Sequence, residues 1–263
     1  MTNWRAALRR AVPAPLWRRL WPLRRADWYL STKGTASRAR VRALKDKHWG
    51  ERCFIVGNGP SLGKTDLSLL KNEFTFGLNR IYLLRDQLGF TTTYHAVSNP
   101  LVVKQWAHEI AQVPCPKFIT WAAHRMIAFT PDMMFFPTRG TPGFSTDVTR
   151  GLWVGGTVTY VAMQIAYYLG FHKVILIGVD HSFVAQGKPG STVMAEGDDP
   201  NHFAPGYFGK GCLWQLPELE TSEQAYRLAK SSYDKSGREI VDATIGGKLN
   251  VFPKVPYESC FDT

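Results

Sequence analysis

Apolar residues in this chain fall in short runs, each closed by a polar residue, Pro or Gly. Strand-length runs of this kind occur at Cys53-Phe54-Ile55-Val56, Phe74 to Asn79, Thr93 to Asn99, Lys117 to Trp121, Met133 to Phe136 and Glu239 to Asp242. The clearest is Lys173-Val174-Ile175-Leu176-Ile177-Gly178-Val179-Asp180. Continuous apolar runs of four to eight residues, rather than alternating ones, predict strands covered on both faces. Gly156 to Leu169 reads as a buried helix with Thr157 near its start and Gly170 as its stop. Thr221-Ser222-Glu223-Gln224 has the spacing of a capping box and predicts a helix ending at Gly237. Strands alternating with helices imply an α/β protein with a mostly parallel, doubly wound sheet. Residues 184–215 are rich in Gly and Pro without periodicity and read as a long functional loop.

Open parallel sheets keep their ligand sites outside the carboxyl ends of the strands. Here those ends carry Gly57-Asn58-Gly59-Pro60-Ser61, then Asn79, then Asn99, then Asp180-His181-Ser182. Glycines allow close backbone approach, and an amide offers both a donor and an acceptor to a base or ribose. The first turn is neither of two familiar phosphate motifs. Five residues separate Gly57 from Gly63-Lys64-Thr65 where a Walker loop has four, and one of them is Pro60, which has no N–H. The third small residue of a dinucleotide fingerprint is replaced by Leu62. Gly155-Gly156-Thr157 opens the buried helix, whose N-terminus suits a phosphate. The set is poor in the carboxylates that Mg²⁺ requires. In the loop, His202 is available as a general base. Asp198 and Asp199 read as solvated, and Tyr207 and Lys210 as possible donors to a leaving phosphate.

Charge changes the picture at the N-terminus. The 263-residue chain carries a formal charge of +11. Residues 1–48 hold 13 Lys/Arg against 2 Asp/Glu, whereas residues 49–263 hold 19 of each. The first segment also carries Trp4, Trp17, Trp21 and Trp28, interleaved with arginines. It reads as an amphipathic helical arm and linker (1–48) preceding the folded body (49–263), which carries the strand-end site. Arg with Trp and Leu suits an anionic membrane surface, contacted through residues 1–30. No run of about 18 apolar residues exists to span a bilayer. A basic nucleic-acid arm, a transit peptide and a disordered tail compete with that reading, and the Trp density argues against the last. The arm predicts a peripheral protein at the cytoplasmic face of a membrane, with no nucleic acid as partner. Cys53, Cys115, Cys212 and Cys260 are widely spaced, which fits a reducing compartment without structural zinc.

The order of these motifs resembles the bacterial sialyltransferases of glycosyltransferase family 42, and the related 6-hydroxymethylpterin diphosphokinase MptE-like group. The likeness runs from about Cys53 to Tyr207. It rests on Gly57 to Leu62, Leu78-Asn79-Arg80-Ile81-Tyr82, Ser98-Asn99-Pro100, Gly156 to Gly170, Ile177-Gly178-Val179-Asp180 and Asn201-His202-Phe203. The resemblance implies a Rossmann-like fold of the GT-A-variant, sialyltransferase-like kind. It implies transfer of a nonulosonic sugar from a CMP-activated donor to a glycan or lipid-linked hydroxyl, with no metal or other cofactor. Asn58 and Ser61 would contact the nucleotide phosphate and ribose, Asn79 and Asn99 would surround the donor, and Gly156 and Thr157 would help hold the nucleotide. Gly57, Gly59, Gly178, Asp180 and His181 complete the expected site, and His202 would deprotonate the acceptor. The chain departs from the family after the Gly-Val-Asp strand. A tyrosine expected there is replaced by His181-Ser182-Phe183, and a second has no match before Asn201. His181 and Lys188 are the candidate substitutes. The alternative implied by the second group is an Mg²⁺-dependent diphosphokinase using ATP.

Overall fold

The computed structural model describes residues 26–183, 187–204 and 206–262. Its centre is a seven-stranded, wholly parallel sheet. The strands are β1 (Arg52–Val56), β2 (Thr75–Leu78), β3 (Tyr94–Val97), β4 (Lys117–Thr120), β5 (Met133–Phe136), β6 (Lys173–Ile177) and β9 (Glu239–Asp242), in the order β5-β4-β3-β2-β1-β6-β9. β7 (Thr192–Met194) and β8 (Leu213–Gln215) form a separate antiparallel pair. The α/β, Rossmann-like expectation and all seven strands of the main sheet are present.

Both faces of the sheet are covered, which is why its strands read as unbroken apolar runs. Cys53 and Ile55 of β1, with Val174 and Leu176 of β6, face one core. Phe54 and Val56, with Ile175 and Ile177, face the other. The first core is closed by α3 (Val158–Leu169) and α4 (Leu219–Asp234), here numbered after α1 (Thr32–Ala43) and α2 (Pro100–Gln112). Thr157 caps α3 by accepting the Thr159 N–H at 3.2 Å, and Gly170 ends it in the left-handed conformation. α4 starts two residues before the expected capping box, at Leu219. Ser222 lies inside the first turn and donates to the Leu219 carbonyl at 2.8 Å. Thr221, the expected cap, is therefore the third residue of the helix, and Glu218 stands at the N-cap position without a side-chain capping bond.

The folded body begins earlier than the expected boundary at residue 49. Trp28 is buried edge-on against Trp121 at 5.1 Å and donates to the Thr149 carbonyl at 3.3 Å. α1 lies along the edge strand β5. Ser37 accepts the Phe135 N–H at 3.0 Å, and Arg40 donates to the Met133 carbonyl at 2.7 Å. A bare strand edge is a template for aggregation, and α1 covers this one. Residues 1–25, which hold the remaining Trp-Arg sequence, lie outside the described residues. No described helix is long and apolar enough to cross a membrane. The four cysteines are free thiols.

Candidate functional site

From β1 the chain steps outward through β2, β3, β4 and β5, then returns to place β6 on the opposite side of β1. The reversal leaves a crevice between the carboxyl ends of β1 and β6, where such sheets bind ligands. A cavity of about 640 Å³ opens there. It is lined by Gly57, Asn58, Gly59, Asn79, Asn99, Gly156, Thr157, Gly178, Asp180, His181 and His202, all of the expected site residues except Ser61.

Ser61 is turned away. Its hydroxyl donates to Asp180 Oδ2 at 2.7 Å and its N–H to Asp180 Oδ1 at 3.1 Å. Both oxygens of the one carboxylate on β6's end are thereby engaged. The rest of the turn interlocks with β6 in the same way. The Gly57 N–H reaches the Ile177 carbonyl at 2.8 Å and the Gly59 N–H the Gly178 carbonyl at 2.9 Å. A Cβ on Gly57 would lie 2.2 Å from the Gly178 oxygen, and one on Gly59 1.8 Å from Asp180 Oδ2. These glycines exist so that two strand ends can touch, and their N–H groups are not available to cradle a phosphate. Ser61 is corrected accordingly, from a ligand contact to a strut.

The asparagines differ among themselves. Asn58 Oδ1 and Asn79 Oδ1 are buried without a hydrogen-bond partner. A buried orphan acceptor costs about 1–3 kcal/mol, and a ligand hydroxyl or amine would relieve it. Asn79 also holds a left-handed φ of 48°, a conformation Asn tolerates better than most residues. Asn99 is already committed. Its Oδ1 caps α2 at the Leu101 N–H (2.8 Å) and its Nδ2 donates to Gln215 on β8 (2.9 Å). The wall opposite is made by Gly155 and Gly156 (φ 57° and 75°) leading into α3.

His202 sits on a well-braced loop. Its Nδ1 pairs with Asp199 Oδ2 at 2.7 Å, and the other Asp199 oxygen accepts the Asn201 N–H at 3.0 Å. Asp199 is therefore not solvated as expected; its side chain is only 6% exposed. The His202 ring lies flat on Tyr207 at 4.1 Å and 1°. Tyr207 is fully buried, its hydroxyl accepts the Arg80 N–H at 3.2 Å, and Arg80 also donates to its carbonyl. Burial raises the Tyr207 phenol above its ordinary pKa. It serves as a neutral platform and not as the leaving-group donor expected from sequence. Lys210 and Lys188 are exposed and do not line the cavity. With Nδ1 held by a carboxylate, His202 has Nε2 left to take a proton, the arrangement a general base needs. The i,i+3 spacing of Asp199 and His202 was the signal in the sequence that this pair exists.

His181 forms a second histidine–carboxylate pair. Its Nε2 lies 3.1 Å from Glu223 Oε1 on α4, and Arg227 holds the other Glu223 oxygen at 2.8 Å. Trp214, Gln215 and Glu218 also line the cavity and were not picked out in the sequence. No group of three or more metal-ligating side chains occurs among the described residues.

No family model and no curated protein sequence matches this chain. Among solved structures it is similar to the MAf glycosyltransferase from Magnetospirillum magneticum AMB-1, with a TM-score of 0.51 and 15% identity. The two share a fold. The match covers 88% of this chain and 39% of that one, so the chain spans about two fifths of the neighbour's length.

Proposed function

We propose that this protein is a glycosyltransferase that moves a sugar of the nonulosonic class, such as sialic acid, from a CMP-activated donor to a hydroxyl of a glycan or lipid-linked acceptor, without a metal. The observation that carries this reading is the braced Asp199–His202 pair at an amide-lined cavity on the topological switch point. His202 Nε2 removes the acceptor proton as its oxygen attacks the anomeric carbon and CMP departs. The unpartnered Asn58 and Asn79 oxygens suit the hydroxyls and exocyclic amine of a cytidine nucleotide. The motif resemblance to the family 42 sialyltransferases and the fold shared with the MAf glycosyltransferase support the same class. The ATP-dependent diphosphokinase alternative needs carboxylates for Mg²⁺. Asp180 is tied to Ser61 and leaves Glu218 as the remaining carboxylate on the wall.

Replacing His202 by Ala should lower turnover of CMP-sialic acid by about 10²–10⁴, the usual worth of a positioned base, with nucleotide affinity retained. Parallel turnover assays and CMP titrations check this. Unchanged turnover would return His202 to a structural role.

We further propose that the protein acts as a peripheral enzyme at the cytoplasmic face of an anionic membrane, through its N-terminal residues. Residues 1–25 contain seven arginines, three tryptophans and no acidic residue. Each cation near such a surface contributes about 1 kcal/mol. Liposome sedimentation should show full-length protein bound at low salt and largely released at high salt, and a form lacking residues 1–25 unbound at both. Equal partitioning of the two forms contradicts the tether.

A further inference from the structure

The cations around α1 sort into two sets. Residues 26–48 contain six Lys/Arg and two Asp. Lys33 and Arg40 are engaged in the fold, donating to the carbonyls of His124 and of Thr130 and Met133. Arg42 and Lys45 are exposed and line a hollow of about 610 Å³. Arg38 and Arg150 line it too, and Asp147 is the single carboxylate among its lining residues. One Asp147 oxygen already accepts the Thr149 N–H at 2.9 Å and the Thr149 hydroxyl at 2.7 Å. Four cations therefore share a concave surface with one partly engaged acid, a distribution that concentrates anions. Residues 49–263 as a whole hold equal numbers of Lys/Arg and Asp/Glu.

Two apolar side chains stand in solvent beside this hollow. Tyr29, which lines it, is 44% exposed, and Leu30 is 82% exposed. A hydrophobic residue just before a helix cap commonly packs on the fourth helical position. Ser31 caps α1, and that fourth position is Thr35, which offers Leu30 no apolar partner. Arg38 fixes the segment by donating to the Trp28 and Tyr29 carbonyls and lying over both rings, 5.4 and 5.3 Å from their centres. The segment also lies near the cavity. Ser37 is bonded to Phe135 and Arg40 to Met133 and Thr130, so α1 runs antiparallel to β5 and begins at the carboxyl end of the sheet. Trp28 packs on Trp121, which follows the cavity-lining Thr120. The described body thus starts, directly after the seven arginines of residues 1–25, at the end of the sheet that holds the cavity.

We propose that Tyr29, Leu30 and the hollow lined by Arg38, Arg42, Lys45 and Arg150 form a docking surface for anionic phospholipid headgroups, which sets the folded body on the bilayer with the cavity end beside the membrane. This rests on the membrane reading above and adds to it a contact made by the folded body. Guanidinium and ammonium groups hydrogen-bond a headgroup phosphate. Leu30 enters the acyl boundary, and Tyr29 lies at headgroup level, where its amphipathic ring is favoured. A contact through residues 1–25 alone leaves the orientation of the body unset, and a second contact sets it. Once residues 1–25 are bound the second contact is intramolecular, so a weak one suffices, although it is too weak to hold the body without them.

The test is sedimentation of the full chain with phosphatidylcholine vesicles, with and without phosphatidylserine, for wild type, Arg42→Ala/Lys45→Ala and Leu30→Ser. Lys235→Ala/Lys248→Ala removes the same charge from exposed residues of a separate hollow and is the control. On the anionic vesicles Arg42→Ala/Lys45→Ala should weaken partitioning about tenfold or more, since each cation near such a surface is worth about fivefold. Leu30→Ser should weaken it about threefold, the effect of one partly buried apolar side chain, and the control should stay within twofold or so. Acetylation of bound wild type should spare Lys45 relative to the free protein while Lys235 and Lys248 react as before, a difference that a tether through residues 1–25 alone does not produce. Wild-type partitioning by Arg42→Ala/Lys45→Ala, with Lys45 acetylated equally in bound and free protein, overturns the docking surface and leaves the tether standing. Tighter binding of an RNA oligonucleotide than of vesicles, weakened by the same two substitutions, assigns the hollow to nucleic acid and also overturns it. If wild type binds no anionic vesicle, the membrane reading falls and this surface falls with it.

Discussion

The turn after β1 and the turn before α3 both bring glycines to the cavity wall, but their backbones are engaged differently. In the first, the alternate N–H groups of Gly57, Gly59 and Ser61 are bonded to the end of β6 or to Asp180. In the second, Gly155 and Gly156 reverse the chain in left-handed conformations and deliver a capped helix N-terminus to the cavity. One glycine turn fastens two strands together; the other aims a helix dipole. A glycine-rich strand-to-helix turn is therefore not by itself a phosphate loop. What decides is whether its N–H groups are already bonded within the fold.

Adding a methyl group to each turn should separate the two roles. Gly57→Ala puts a Cβ 2.2 Å from a backbone oxygen of the neighbouring strand end. Neither strand can yield without breaking the sheet's register, so we expect about 3–4 kcal/mol of destabilisation. Gly156→Ala meets its nearest atom at 3.3 Å and should cost chiefly its left-handed φ, about 1–2 kcal/mol. Gly63→Ala, with nothing within 4 Å, should change stability by about 0.5 kcal/mol or less. Urea unfolding gives all three values. Equal losses at Gly57 and Gly156 would erase the distinction between fastener and ligand turn.

The same contrast holds among the histidines. His202 and His181 face the cavity with carboxylate partners, whereas His95 on β3 is wholly buried. Burial lowers the His95 pKa from 6.5 to about 4. Between those values the unfolded chain binds more protons than the folded one, so folding stability falls as pH drops through that window and levels off below it. The loss amounts to about 3 kcal/mol. His95→Leu should remove this part of the pH dependence while leaving stability at pH 7.5 similar or higher. A wild-type stability profile between pH 4 and 6.5 that matches the variant's would contradict the assignment.

The main sheet was legible in the sequence because strands four or five residues long, buried on both faces, leave compact apolar runs between polar stops. α3 was legible for the same reason, together with its Thr157 cap and Gly170 stop. α2 was missed although Asn99 and Pro100 are a sound cap and first helical residue. Its regular turn is interrupted at Trp106, where φ is −131°. α1 was hidden in a basic run. It holds the body through Ser37, Arg40 and Val41 and lacks a continuous apolar stripe. The β7–β8 pair has three-residue strands, too short to show alternation. At the site, the strand-end asparagines were legible as polar stops after apolar runs. The Ser61 bond to Asp180 was not, because its partner lies 119 residues away. Asp199 was misjudged because its charge suggested solvent, whereas its spacing from His202 pointed to a partner.

The central claim is that the switch-point cavity binds a nucleotide monophosphate through amides, a helix start and histidines, without a divalent metal. Calorimetric titration of CMP and of ATP, each in EDTA and in Mg²⁺, into wild type and Asn58→Ala tests it most directly. The account predicts that CMP binds in EDTA with no gain from Mg²⁺, and that Asn58→Ala weakens CMP about tenfold through loss of one hydrogen bond to a buried acceptor. Tight binding of ATP only in the presence of Mg²⁺, with no binding of CMP, would contradict it and put the diphosphokinase in its place.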